Sequence, residues 1–427
     1  MGSIKNYKSI MIIFFVVYVF LTLFSDFLDL LLFAGKFSLF SYLDELFMIF
    51  YLIGHWKRDK ISSFLIKLGA VSLLFILLTL FSEYRPSIYK ILVGCYIQLK
   101  LFFIFYLFYK ILYKEHKYSE ILYRSVNITM IIGILLNLIL GSTFNTLFNQ
   151  RIVYKFDGLV LNGFATQPNQ IGMYLAFIYL YFLFRKGIPS FNKLLSYSFL
   201  LSAVILLFIG TRSTLVIVLA AFGYYFVVSK NFLKITIPIV VVVMIGMVVT
   251  FKASLIEKTI YNYELMSSIN TLSKSGYQRG IVIHYGREIA KNFFPLGTGL
   301  STYATKMSYG SKVYDDFVSF GKPIFTGERD GLFDSNLASI LGELGYLGLL
   351  LIIYLCFMIR KLLIQQSPNL NHLINIFIIT LLIFSITKST FVNSYSSIFF
   401  SFLLIRELNV NVFNNKNIIS DEKNINN

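Results

Sequence analysis

Cysteine is nearly absent from this chain: there are two in 427 residues, Cys95 and Cys356, and both fall inside apolar runs. That excludes a disulfide-stapled scaffold and a cysteine zinc site. Histidine is as scarce. The four histidines, at 55, 116, 284 and 372, are scattered and have no metal-ligand spacing. Charge is also depleted, at 14% Asp, Glu, Lys and Arg, where soluble globular proteins carry about 25%. No internal repeat and no small-residue cleavage site after the first apolar run is present, so that run reads as a retained helix.

What the chain has instead is hydrophobic length. Hydrophobic residues make up 57% of it, and mean hydropathy is +0.72. Apolar runs of about 17–25 residues recur from end to end, each long enough to cross a bilayer as a helix. The expected fold is therefore all-α and polytopic, with about twelve transmembrane helices. They fall at roughly 9–32, 38–55, 62–81, 88–109, 119–140, 168–184, 194–210, 213–228, 235–251, 335–358, 371–387 and 391–405.

The net charge of +17 does not indicate nucleic acid, because the cations sit mostly in short connections. "HWKRDK", "YKEHK", "RKGIPSFNK", "SKNFLK" and "RKLL" all fall on one side when spans are counted from a cytoplasmic N-terminus. That puts both termini in the cytoplasm. Four regions follow: an N-terminal membrane bundle (1–251), a large extracytoplasmic loop (252–334), C-terminal spans (335–406) and a polar cytoplasmic tail (407–427), which reads as disordered. A loop as long as 252–334 is uncommon without function.

Four stretches outside the cytoplasm carry candidate chemistry. In "LLFIGTRSTLVIVLAAF", Arg212 is the lone charge between Lys193 and Lys230. On the outer side it has no topological task, so it either snorkels to headgroups or meets an anion. In "YQRGIVIHYGREIAKNFFPLGTGL" (277–300), Ile281, Tyr285 and Ile289 form one apolar stripe of an expected helix that stops at Pro295. Arg279 and Arg287 lie off that stripe, ~80° apart around the axis, suited to one anion or to lipid phosphates. Such a helix expects to lie on headgroups or to cap a cavity.

In "DSNLASILGELGYLGLLL" (334–351), Asp334 fits an N-cap and equally a proton acceptor, with Asn336 and Glu343 following on the same helix. Glu343 is costly there unless it is paired or faces a cavity. "GFATQPNQIGMYLAF" (163–177) places Pro168 at a helix start, with Asn169 and Gln170 at the outer surface. Arg151 lies in the outer stretch just before it.

With "PNQIG", "GTRSTL", Arg279 plus "PLGTGL", and "DSNLASILGELGYLGLL" in this order, residues 151–358 resemble the bacterial O-antigen polymerase and O-antigen ligase superfamily. The resemblance implies a GT-C-like membrane glycosyltransferase of the inner membrane that uses undecaprenyl-diphosphate-linked sugars. It further implies that Arg212 and Arg279 bind the diphosphate. Arg151, Asn169, Arg287, Asn336 and Glu343, polar residues in the same four outer stretches, are the further candidates for substrate binding. Ligases carry a histidine at the start of the span after the loop. This chain has Asp334 there, which suits a polymerase and makes Asp334 the expected base.

Arginine stays charged and grips phosphate oxygens bidentately, so two of them can replace a divalent metal. The expected enzyme is thus metal-independent and without cofactor. A chain-length regulator and a flippase are its implied partners. The competing expectations are the ligase, which would transfer polymer to lipid A–core, and a repeat-unit flippase. Pseudo-repeated halves, the usual mark of transporters, are missing here.

Overall fold

A computed structural model describes residues 2–33, 47, 60–148, 150, 152, 154–155, 158–165, 168–205, 212–229, 278–316, 335–387, 391 and 393–425. Among these the fold is helical, apart from a two-residue antiparallel ladder pairing Tyr154–Lys155 with Gly158–Leu159. The helices are α1 (Gly2–Leu23), α2 (Ser25–Phe33), α3 (Lys60–Leu80), α4 (Ile88–Leu112), α5 (His116–Leu140), α6 (Ser142–Leu147), α7 (Pro168–Phe184), α8 (Phe191–Val204) and α9 (Arg212–Ser229). After these come α10 (Gln278–Asn292), α11 (Val313–Asp316), α12 (Asn336–Ser339), α13 (Gly345–Gln366), α14 (Asn371–Thr387) and α15 (Ser394–Ile425).

Six helices among the described residues are long and apolar enough to cross a membrane, or seven if α1 and α2, bent by 71°, form one broken span. This is a membrane-embedded chain. α7 and α9 are shorter apolar helices. The expected span at 235–251 lies outside the described residues, as does all of that at 38–55 except Phe47.

α4 and α15 form the centre. Their apolar windows are 72% and 78% buried, against 28% for α5. Their buried surfaces are mostly apolar, with the few buried polar groups, such as Gln98 on α4 and Asn409 on α15, hydrogen-bonded to neighbouring helices. Aromatic rings fill the space between them and their neighbours: Phe15 meets Phe108 edge-on at 5.0 Å, and Phe105 and Phe108 approach Phe400 and Phe402. Large rings with few torsions give much contact area at low entropic cost.

The helix ends sort into two sets. At one end, the backbone N–H of Lys114 donates to Asn409 (2.8 Å), Tyr113 donates to Gln366 (2.7 Å), and Arg406 donates to Glu120 (2.8 and 3.0 Å). The basic connections at 113–117, 185–193 and 360–371 meet at this end. At the other end, Lys90 donates to the Tyr309 carbonyl (3.1 Å), and Thr79 accepts from the backbone N–H of Leu300 (2.8 Å). Residues 278–316 therefore pack at the end of the bundle where α3 finishes and α4 begins.

Those residues form a cap. Val282, Ile289, Tyr303, Val313, Tyr314 and Ala338 close a second small core, so α10 docks on α12 instead of lying free on a surface. The buried stripe of α10 runs through Val282, Gly286 and Ile289, while Tyr285 of the expected stripe is only half-buried. Gly286 explains the offset. A Cβ there would lie 2.8 Å from the Ala338 carbonyl oxygen and 3.3 Å from the Tyr303 ring, so the helices meet backbone to backbone. Gly286→Ala should force them apart and destabilise the cap by about 1–3 kcal/mol. Faster amide exchange in α10 would register it.

The polar tail departs from expectation. It continues α15 as helix to Ile425 instead of being disordered. A packed helix supplies its own nucleus, so each added residue brings a hydrogen bond without the initiation penalty that the tail would face alone.

Candidate functional site

The run from Ser335 to Gly345 leads from the cap into the bundle, and its backbone explains the site. Ser335 caps α12 by accepting from the N–H of Ala338. A π-turn then spans Ile340–Leu344 and ends at Gly345, whose φ is +65°. The wider turn frees carbonyls that the incoming segment 295–299 takes up. The N–H groups of Thr298, Gly299 and Leu347 bond to the carbonyls of Gly342 (2.9 Å), Glu343 (2.8 Å) and Pro295 (3.0 Å). A π-turn is a common feature of functional sites.

Glu343 sits at the centre of this junction and is 1% exposed. Its carboxyl group accepts from Gln98 Nε2 (2.8 Å), Thr305 Oγ1 (2.8 Å) and the backbone N–H of Tyr303 (3.3 Å). Gln98 in turn accepts from Asn336 Nδ2 at 3.5 Å, and Asn336 Oδ1 accepts from the N–H of Phe391 (2.8 Å). One hydrogen-bonded chain thus joins the cap, α4, α12 and the α14–α15 connection. Glu343 and Asn336 are brought together, though Asn336 lies on α12 and Glu343 in the π-turn. Their polar atoms are taken up by protein groups, so they position this junction.

Beside them, near mid-length of α4, Lys100 is buried and donates to Ser394 Oγ (3.1 Å), with its ammonium 5.5 Å from the Tyr96 ring. The Leu101 N–H reaches the Phe391 carbonyl (3.2 Å). α12 and α15 therefore begin about halfway down α4, which leaves a polar layer deep in the bundle. Ionisable groups at such depth are costly and mark functional candidates.

The remaining expected residues divide as follows. Arg287 is exposed on α10, turned away from the face that docks on α12. Arg212 opens α9, Arg279 lies in the first turn of α10 and Asn169 in that of α7, but these three side chains lie outside the described residues, as do Arg151 and Asp334. Gln170, beside Asn169, donates to Asp26 (3.0 Å) at the α1–α2 bend.

The sequence reading passed over Gln98, Lys100 and Asp26. Their signal was available: two polar residues at mid-run in "GCYIQLKLFF", and two carboxyl groups three apart in "SDFLDLLLF".

On the cap, Tyr84 donates to Asp316 (2.9 Å), and burial together with that carboxylate pushes its hydroxyl up to about 12. Glu288 is held below the usual carboxylate range by its hydrogen bond from Lys291 (2.9 Å). Among the described residues no group of three His, Cys, Asp or Glu is placed to hold a metal ion. Comparison with protein-family models and with curated proteins gave no match.

Proposed function

We propose that this chain is a metal-independent inner-membrane glycosyltransferase that polymerises undecaprenyl-diphosphate-linked repeat units of an O-antigen or capsule-like polysaccharide. It would have a GT-C-like fold of about twelve spans, cytoplasmic termini and an extracytoplasmic 252–334 loop. The observation that supports the reading best is the polar layer built where the cap enters the bundle. Glu343, Gln98 and Asn336 meet there, and Lys100, two residues further along α4, bonds to Ser394. Asn336 and Glu343 belong to the stretch that resembles the polymerase and ligase superfamily.

In the proposed reaction, the acceptor hydroxyl oxygen bonds to the anomeric carbon as the bond from that carbon to the diphosphate oxygen breaks. The hydroxyl proton passes to the Asp334 carboxylate. The electron pair leaves with the diphosphate, whose gained charge Arg212 and Arg279 neutralise. Single displacement inverts the anomeric centre. The donor and acceptor are both lipid-linked, so membrane depth for the reacting groups is expected. A chain-length regulator and a flippase are the partners this activity implies.

The test uses full-length protein in lipid nanodiscs with undecaprenyl-diphosphate-linked repeat units. Ladders of longer lipid-linked glycan that survive EDTA are expected. Ladders abolished by EDTA would overturn the metal-free mechanism, and a retained anomeric configuration by NMR would overturn single displacement. Product only on added lipid A–core would identify a ligase, and substrate flipping without new bonds a transporter.

A further inference from the structure

At the end of the bundle opposite the cap, the 185–187 turn, the start of α14 and the 406–411 segment of α15 enclose a cavity of about 630 Å³. It is separate from the proposed reaction site. Its wall carries Arg185, Lys186 and Arg406, with Glu407 the one carboxyl group. Arg406 offsets Glu407 (3.9 Å) and, with Arg124, also Glu120 (2.8 and 3.0 Å). Tyr181 donates to Glu407 as well. Two carboxyl groups thus face two arginines, and Arg185 and Lys186 are left in surplus.

No salt bridge among the described residues involves either of them. Arg185 lies over the rings of Tyr181 (5.6 Å) and Phe182 (5.2 Å), which holds its guanidinium at the rim without neutralising it.

The neutral wall offers donors too. Asn371 Oδ1 is occupied by Arg360 (3.0 Å) and Asn375 (3.2 Å), so the group Asn371 has left is its NH2. His372 shares its Nδ1 with Tyr224 (3.1 Å). Both residues open α14, whose dipole presents its positive end there. Surplus cations, amide donors and a helix start around one concavity match an anion with several acceptor oxygens. A solvated basic rim, by contrast, would need no concavity.

We propose that this cavity binds a phosphate group, either the headgroup of an anionic membrane lipid or a free phosphate. The test is native mass spectrometry of full-length, delipidated protein titrated with phosphatidylglycerol, with phosphatidylcholine as the zwitterionic comparison and inorganic phosphate as competitor. Phosphatidylglycerol should bind, and the Arg185→Gln/Lys186→Gln double variant should bind it about twentyfold more weakly.

Lys186→Gln alone should lose about fivefold. Lys186 is exposed and forms no described hydrogen bond, so that variant keeps the question answerable if the double variant misfolds. Inorganic phosphate displacing phosphatidylglycerol at concentrations below the lipid's own would identify free phosphate as the occupant, and displacement only at far higher concentrations would identify the lipid headgroup. Lys117→Gln removes an exposed cation from the same end and should leave binding unchanged. Equal weakening by Lys117→Gln, or full binding by both Lys186→Gln and the double variant, would overturn the proposal.

Discussion

Glu343→Ala is expected to unfasten the cap from the helix bundle. The carboxyl group serves three donors, on Gln98, Thr305 and the Tyr303 backbone, and all three lie where water does not reach. Losing the acceptor leaves each donor unsatisfied, at about 1–3 kcal/mol apiece. Some relaxation around the gap lowers the sum, so on the order of 3 kcal/mol is expected, or roughly a hundredfold more frequent opening.

The observable is hydrogen exchange. Amides of Thr298–Ser308 and α10 should exchange about a hundredfold faster, while those of α4 stay protected. Glu343→Gln keeps one acceptor oxygen and should fall between. Unchanged exchange in the alanine variant would mean that the backbone bonds between 295–299 and the π-turn carry the cap without help from the side chain.

That junction also marks where sequence stops being informative. Residues 335–358 read as one span because every side chain there except Asn336 and Glu343 suits a helix interior. The break at Gly345 is set by something far away in the chain. Segment 295–296 crosses so close that a Cβ on Gly345 would lie 2.3 Å from the Leu296 carbonyl carbon, and φ is +65°. A glycine in an apolar run gives no sign of which it is, a packing glycine or a turn.

The same limit hides α4 and α15 at the centre. Lipid-facing and buried helices are equally apolar in composition, since lipid tails are as apolar as leucine. Span existence was legible for α3, α4, α5 and α14 because length and hydropathy alone decide it.

The site was legible in its charges and not in its contacts. Glu343 stood out as a carboxyl group seven residues into an apolar helix, and it is indeed buried. Its role as the anchor of the cap depends on Gln98 and Thr305, 245 and 38 residues away. Lys100 was overlooked because cations in this chain were read as connection residues. Its place at mid-run in α4, where a cation serves no topological purpose, was the signal that separates it from them.

Arg212→Ala should abolish polymer formation while leaving insertion and expression intact. Arg212 opens α9, which packs against α7, α8 and α14, so the helix that carries it has contacts of its own to hold it in the bundle. If its guanidinium meets the diphosphate as the sugar–oxygen bond breaks, its removal takes away charge stabilisation felt mainly in the transition state. Losses of about a hundred- to a thousandfold in turnover are typical for one such group. Arg212→Lys keeps the charge but not the planar fork, and should recover part of the rate.

The rate of ladder growth per amount of monodisperse protein is the quantity to compare. Arg287→Ala provides the contrast: it is exposed on α10 and should change that rate by less than about threefold. A variant at 287 that fails as badly as one at 212 would point to loss of the cap's basic surface as the common cause. Full activity without the Arg212 guanidinium would remove it from the diphosphate clamp and leave the buried Lys100 as the cation to substitute next.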